Sequence, residues 1–294
     1  MAENNKKYKI AFFIYEKDHE SIEFTRKFEE KIQKIAGIIP FFYPLKRDSS
    51  GFHFIKEKPD FNEKYDLAVS IGGDGTFLFT VGYFYEKNIF FLPINNGRLG
   101  FLAWNYINEL EKELNNFISG NFTEDKRMLL KTHINIEKEE EDKRSTFYSL
   151  NEIAVSKFEF STPLEVLVKL DGEKLLHYWG DGIIVATPTG STGYSLSAGG
   201  PIICPTLESI IITPICPHSF TVKPIVVKAE HEICITILNK RKITVTADGQ
   251  RGLSFTGGIR HSIVVKKAEK PINIIRAKKI TFFEIISKKL GWGV

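Results

Sequence analysis

From Tyr65 to Tyr85 the chain reads YDLAVSIGGDGTFLFTVGYFY. An apolar run from Tyr65 to Ile71 stops at the loop Gly72-Gly73-Asp74-Gly75-Thr76, and a second apolar segment, Thr76 to Tyr85, follows. A short, nearly continuous apolar run ended by glycine predicts a strand covered on both faces, and the sequel predicts a helix starting after Thr76. The neighbouring sequence repeats the pattern. YKIAFFIY, Tyr8 to Tyr15, and NIFFLPI, Asn88 to Ile94, read as further buried strands. Between the first of them and Gly37, Ile22, Phe28, Ile32 and Ile35 recur at helical spacing, with Gly37 placed as a left-handed cap. Strands alternating with helices imply a parallel α/β sheet.

In an open α/β sheet ligands bind beyond the carboxyl ends of the strands, which is where this glycine loop falls. Gly72, Gly73 and Gly75 let backbone N–H groups approach phosphate oxygens, and the helix start adds its positive dipole end. Asp74 is the exception, because a carboxylate repels phosphate. It is useful there if it takes a proton from an attacking hydroxyl or helps hold Mg²⁺ against the phosphates. A tight turn in which Asp74 only caps the following helix accounts for the same residues equally well.

Near Glu124 the period changes. Ile134 and Ile136, Val166, Val168 and Leu170, Ile233, Ile235 and Ile237, and Ile243 and Val245 alternate with polar residues, and Asp171-Gly172 marks a hairpin turn. This predicts an all-β, sandwich-like second domain. The domains are therefore set at 1–125 for the α/β part and 126–275 for the β-rich part. Residues 276–294 form a terminal segment in which Phe282, Phe283, Ile286 and Leu290 keep helical spacing and return to the first domain. EKEEEDKR, Glu137 to Arg144, reads as a solvated hairpin tip.

A second glycine-rich stretch, WGDGIIVATPTGSTGYSLSAGGPI, runs from Trp179 to Ile202. Thr189, Ser191, Thr192, Ser195 and Ser197 offer neutral donors and acceptors suited to sugar hydroxyls and phosphates. Neither glycine loop is a lysine-bearing P-loop, and neither has the G-x-G-x-x-G dinucleotide spacing.

Composition narrows the partners. The 294 residues, 43% of them apolar, suffice for two cores. A net charge of +4 from 40 basic and 36 acidic residues, interleaved along the chain, argues against nucleic acid. Cys204, Cys216 and Cys234 match neither a disulfide framework nor a metal cluster, which suits a reducing cytoplasm. No window approaches the roughly 18–20 apolar residues of a membrane span, and the seven histidines lack ligand spacing.

Taken together, GGDGT at Gly72–Thr76, NNGRLGFL at Asn95–Leu102, LNE at Leu150–Glu152, the run Asp181–Ile202, TPICPHSFTVKPIVV at Thr213–Val227, ADGQ at Ala247–Gln250 and KLGWG at Lys289–Gly293 resemble the NAD kinase family over almost the whole length. GGDGT alone is shared with lipid kinases and phosphofructokinase-like enzymes, whereas the TPTGST…SAGGP run is specific. The resemblance implies ATP-dependent phosphorylation of the adenosine ribose 2′-hydroxyl of NAD, with Mg²⁺ accompanying ATP and a homodimer or homotetramer as the assembly. It implies Asp74 as the proton acceptor, with Gly72, Gly73 and Gly75 against the nucleotide. Asn151 and Glu152 would contact the adenosine portion, Asp181, Thr192, Gly193, Tyr194 and Ser197 the rest of the dinucleotide, and Gln250 a further position. Tyr194 would be a stacking surface, and Asp181 would be contributed across a subunit interface.

This chain departs from the family pattern in three places. Phe77, Leu78 and Phe79 stand where a basic residue often follows GGDGT, leaving Arg98 as the candidate cation. Trp179 and Gly180 stand where a basic residue often precedes Asp181, and Gly193 stands where alanine is common. Two alternatives are a lipid or sugar kinase of the same superfamily and a catalytically idle dinucleotide-binding regulator. The TPTGST run argues against the first and the intact Asp74 against the second.

Overall fold

Tyr8–Tyr15 is strand β1, and Ile10 to Ile14 within it are buried, as a strand covered on both faces requires. The structure, a computed structural model, describes residues 6–49, 51–60, 62–97, 100–136, 143–158, 162–276 and 281–292. Helix α1 (His19–Ile32) follows, opened by a capping box between Asp18 and Ser21. It ends at Ile32 with Gln33 as a right-handed cap. Gly37 is left-handed (φ 82°), but it belongs to the turn into β2 (Ile38–Asp48) and does not cap the helix. The apolar stripe differs as well: Phe28 and Ile32 are buried while Ile22 is 49% exposed. Phe24, four residues before Phe28 and stacked on it at 5.8 Å, takes the place expected of Ile22.

The chain continues through β3 (Gly51–Phe54), β4 (Leu67–Gly72), α2 (Asp74–Phe84), β5 (Phe90–Asn95), β6 (Asn105–Tyr106), α3 (Leu110–Ile118) and β7 (Thr123–Arg127). β1 pairs in parallel with β2 on one side and β4 on the other, and β4 pairs in parallel with β5. The chain order reverses at β1, which puts a topological switch point at the carboxyl ends of β1 and β4. Strand Ile272–Arg276 inserts between β5 and β7. One face of the sheet packs Phe12, Val69 and Leu92 with Phe28 and Ile32 of α1 and Leu114 and Phe117 of α3. On the other face Phe13 meets Phe84 of α2 edge-on at 5.5 Å. Helix Phe282–Leu290, opened by a Thr281–Glu284 capping box and closed by left-handed Gly291, completes this unit, which comprises residues 1–126 and 272–294.

The second compact unit, residues 127–271, is antiparallel throughout. Its strands are β8 (Leu130–Ile136), β9 (Lys143–Ser149), β10 (Glu152–Lys157), β11 (Leu164–Leu170), β12 (Glu173–Gly180), β13 (Gly182–Ala186), β14 (Ser209–Ile215), β15 (Ile225–Lys228), β16 (Ile233–Ile237), β17 (Lys242–Ala247), β18 (Arg251–Thr256) and β19 (Ser262–Lys267). They form two six-stranded sheets, β15-β14-β13-β10-β17-β18 and β12-β11-β16-β19-β8-β9. Alternate residues of both sheets meet in one core, among them Ile153, Ile183 and Val245 from the first and Val166, Ile235 and Ile134 from the second. β8 and β9 pair across residues 137–142, which lie outside the described residues, as does the middle of the charged run read as a hairpin tip.

β13 breaks the alternation: all five of its residues are buried. Its second face, with Ala154, Ile184, Ala186 and Ile211, is covered by Ala198 and Ile203 of the glycine- and serine-rich segment. That segment is laid on the sheet by its own apolar residues and contains the four-residue helix Tyr194–Ser197.

Candidate active site

In the first unit the glycine loop lies at the end of β4. Helix α2 starts at Asp74, three residues earlier than the sequence suggests, with Gly73 as its N-cap and no side-chain cap. Asp74 therefore sits in the first turn, at the positive end of the helix dipole, and is not the cap. Its carboxylate turns instead to residues 101–103. Oδ2 accepts from Phe101 N–H at 2.8 Å, and Oδ1 accepts from Leu102 N–H at 3.0 Å and Ala103 N–H at 2.9 Å. Gly100 makes this approach possible, since a Cβ there would lie 2.0 Å from Asp74 Oδ1. Buried Asn95 donates its side-chain amide to Ala103 O at 3.1 Å, so the donor segment is fixed from behind.

A carboxylate has about four lone-pair directions, and three are occupied here. The remaining one is on Oδ2, which has a single donor among the described residues. This arrangement fixes the carboxylate through three hydrogen bonds while leaving one lone-pair direction of Oδ2 open to a further donor.

Next to it is a cleft of about 550 Å³, lined by Tyr15, Lys17, Ser21, Gly72, Gly73 and Asn95 among others. It occupies the switch point at the carboxyl ends of β1, β4 and β5, where ligands of open sheets bind. Lys17 is a cation without a sequence signal of its own, because a lysine before a helix cap is ordinary. Arg98, the cation suggested by the sequence, lies outside the described residues. Helix Phe282–Leu290 brings Lys289 Nζ to 5.7 Å from the centroid of the Phe101 ring. Gly75, within the first turn of α2, follows Asp74 directly.

In the second unit Asn151 and Glu152 enter β10 under the glycine- and serine-rich segment. Thr187 ties the two together: its Oγ1 donates to Leu150 O at 2.6 Å and accepts from Gly190 N–H at 3.0 Å, and its N–H donates to Asn151 O at 2.8 Å. A Cβ on Gly190 would lie 2.1 Å from Asn151 O, so glycine is required for this contact. Glu152 is 8% exposed, and its Oε2 and the Oδ1 of Asn151 are buried with no hydrogen-bond partner. Burial, followed by the charge of Asp248, pushes the Glu152 carboxyl up to about 8, and the Tyr194 N–H opposes the shift. Burial also raises Asp248, to about 6, against the pull of three backbone N–H groups and Arg251.

The hydroxyls of the segment divide. Thr189 accepts from Arg127 Nη1 at 3.1 Å, Ser191 bonds both N–H and C=O of Ile203, and Ser195 pairs with Thr213 Oγ1 at 2.9 Å. These three are buried and serve the fold rather than a ligand. A polar segment packed on a sheet has to satisfy its own backbone, and short hydroxyl side chains do so. Thr192 and Gly193 are partly exposed, Ser197 is exposed, and the Tyr194 ring is 44% exposed. Gln250 lies on the β17–β18 turn beside Asp248, and Asp248 binds the Leu150–Glu152 backbone directly.

Asp181 is not with this group. It sits at the opposite end of β13, about 20 Å along the strand from Thr187 at 3.3 Å per residue, and pairs with Lys157 Nζ at 2.6 Å.

The chain matches the ATP-NAD kinase N-terminal domain over residues 16–122 and the ATP-NAD kinase C-terminal domain over residues 150–277. The NAD kinase of Gemmatimonas aurantiaca is 36% identical over 93% of this chain and 88% of its own. That of Geotalea daltonii is 32% identical over 97% and 99%. Among solved structures, yeast NADH kinase complexed with NADH superposes with a TM-score of 0.83 at 25% identity, covering 99% of this chain and 89% of the yeast one. An NAD kinase from Archaeoglobus fulgidus in complex with ATP gives 0.69 at 26% identity, covering 96% and 97%.

Proposed function

The chain belongs to the NAD kinase family, and from that premise we propose that Asp74 is the base of the reaction, accepting the ribose proton on Oδ2. The activity is phosphoryl transfer from ATP to NAD, forming NADP. A sugar hydroxyl is a poor nucleophile at neutral pH, and a positioned carboxylate that takes its proton late in the step contributes about 10²–10⁴-fold. The observation that carries the assignment is the set of three backbone donors on Asp74, which leaves one lone pair of Oδ2 open beside a glycine loop at the switch point.

The remaining roles rest on the same premise. The 550 Å³ cleft takes the triphosphate of Mg-ATP, with Lys17 as its cation and Gly72, Gly73 and Gly75 as the close-approach backbone. Mg²⁺ arrives as part of that substrate and neutralises phosphate oxygens during in-line transfer. Asn151 and Glu152 meet the adenosine portion of NAD through their unpartnered buried atoms. Tyr194 offers its exposed ring for stacking, and Thr192, Gly193, Ser197 and Gln250 line the remainder. Asp181, remote from these residues within the chain, completes the site of a neighbouring subunit in a homodimer or homotetramer. Three free cysteines support a reducing cytoplasm, and no described helix is long and apolar enough to cross a membrane.

The test is NADP formation from NAD and Mg-ATP by wild type beside Asp74→Asn, with NAD binding measured separately. The expected result is a loss of at least about a hundredfold in kcat with NAD affinity retained. A variant that keeps its kcat removes Asp74 from the base role.

A further inference from the structure

We propose that Asp248 is a positioning residue for NAD: its buried carboxylate gathers the backbone N–H groups of Leu150, Asn151 and Glu152 and so sets the two side chains that meet the dinucleotide. The proposal rests on the reading of Asn151 and Glu152 given above and extends it to a residue that does not itself touch the ligand.

Strand pairing between β10 and β17 reaches only to Ile153 and Ala247. Beyond that point the backbone entering β10 has no strand of β17 to bond, and Asp248 takes over. Oδ2 accepts from Leu150 N–H at 2.9 Å, and Oδ1 accepts from Asn151 N–H at 2.7 Å and Glu152 N–H at 3.2 Å. In return the Asp248 N–H donates to Glu152 O at 3.0 Å. Three successive amides converging on one anion form a nest, filled here by an internal carboxylate. Asp248 reaches it from a left-handed backbone (φ 52°), a conformation that aspartate and asparagine tolerate and most residues do not.

Positioning differs from simple packing here in how backbone and side-chain groups are satisfied. The N–H groups of Leu150, Asn151 and Glu152 go to Asp248, the carbonyls of Leu150 and Asn151 go to Thr187, and the carbonyl of Glu152 goes to the Asp248 N–H. The backbone is satisfied from both sides. The side chains it carries are not: Asn151 Oδ1 and Glu152 Oε2 are buried without a partner. Buried polar atoms left open on a fully clamped backbone are what a preorganised ligand contact requires. The charged groups acting on this carboxylate are Glu152, on β10, and Arg251, on β18. Beside Glu152, the negative Asp248 favours the neutral Glu152 carboxyl, which can donate a hydrogen bond as well as accept one.

The experiment compares wild type with Asp248→Asn, which keeps the size and tolerates the left-handed turn but places an NH₂ against backbone donors. Calorimetry with NAD is expected to show at least about tenfold weaker binding, with the KM for ATP within about twofold and the pH midpoint of NAD affinity moved down. NAD affinity within about twofold of wild type, or NAD and ATP constants rising in parallel, overturns the proposal. If Asp248→Asn does not fold, the wild type decides by amide NMR. Leu150, Asn151 and Glu152 must titrate together with one shared midpoint between about pH 5 and 7, and three unmoved or independently moving amides overturn it. A wild type that binds no NAD sinks the kinase reading itself and this proposal with it, whatever the amides do.

Discussion

Gly100 and Asp74 are in contact in a way that leaves no room for a methyl group, because a Cβ on Gly100 would stand 2.0 Å from Asp74 Oδ1 and 2.7 Å from Cγ. The carboxylate and the turn that donates to it are therefore one unit. Gly100→Ala must push Asp74 or the 101–103 amides aside. Displacement of a reacting group by about 1 Å costs up to about a hundredfold. Steady-state kinetics should show kcat falling by about ten- to a hundredfold while NAD affinity, measured by calorimetry, stays within about threefold. Unchanged kcat would mean that the contact is not needed in turnover.

Lys17 carries the positive charge of the cleft at the switch point. Lys17→Ala is expected to raise the KM for ATP by about tenfold, the scale of one lost charge-assisted phosphate contact. The KM for NAD should stay within about twofold, and the ATP effect should shrink in high salt. Equal changes for both substrates would remove Lys17 from the donor site.

Thr187 bridges Leu150 O and Gly190 N–H from a fully buried position. Thr187→Val keeps the shape and strands both partners, at a cost of about 2–3 kcal/mol. The thermal midpoint should drop by roughly 5–10 °C. Calorimetric unfolding checks this, and a drop under about 2 °C would show that water replaces the hydroxyl.

Glu152 makes stability depend on pH. Its folded pKa of about 8 lies above the ordinary carboxyl value of 4.5, and that of Asp248, about 6, lies above 3.8. Between the unfolded and folded values the folded state binds more protons than the unfolded one, so stability is greatest below about pH 4 as far as these two groups go and is lost as pH rises through 6 and 8. Thermal midpoints of the ligand-free protein should fall from pH 5 to pH 9, and Glu152→Gln should flatten most of the decline above pH 6. An unchanged slope in the variant would mean that Glu152 ionises freely.

Much of this was open to a reader of the sequence. Strands covered on both faces announce themselves, as in YKIAFFIY, because nothing but burial tolerates such a run. Asn151 and Glu152 are singled out by family resemblance alone, and each has a buried polar atom without a partner. The start of α2 was misread because Asp74 and Gly75 are poor helix formers in a chain interior, yet the first turn of a helix accepts both. The inward turn of Thr189, Ser191 and Ser195 was hidden because composition does not say which hydroxyls a folded segment needs for itself. Asp248 has no local sign of its role, since its partners lie about a hundred residues away along the chain. INIIR at 272–276 has no local sign of which sheet it joins, because its parallel partner is set by topology.

That last strand has a consequence for biosynthesis. It fills the gap between β5 and β7, both of which emerge from the ribosome far earlier. About 145 intervening residues, translated at about 5–20 per second, delay closure of the first sheet by roughly 7–30 s. During that interval the nascent chain exposes two unpaired strand edges. The second unit is in effect an insertion, free to fold as soon as it is made, while the unit that carries Asp74 must wait for residues 272–276.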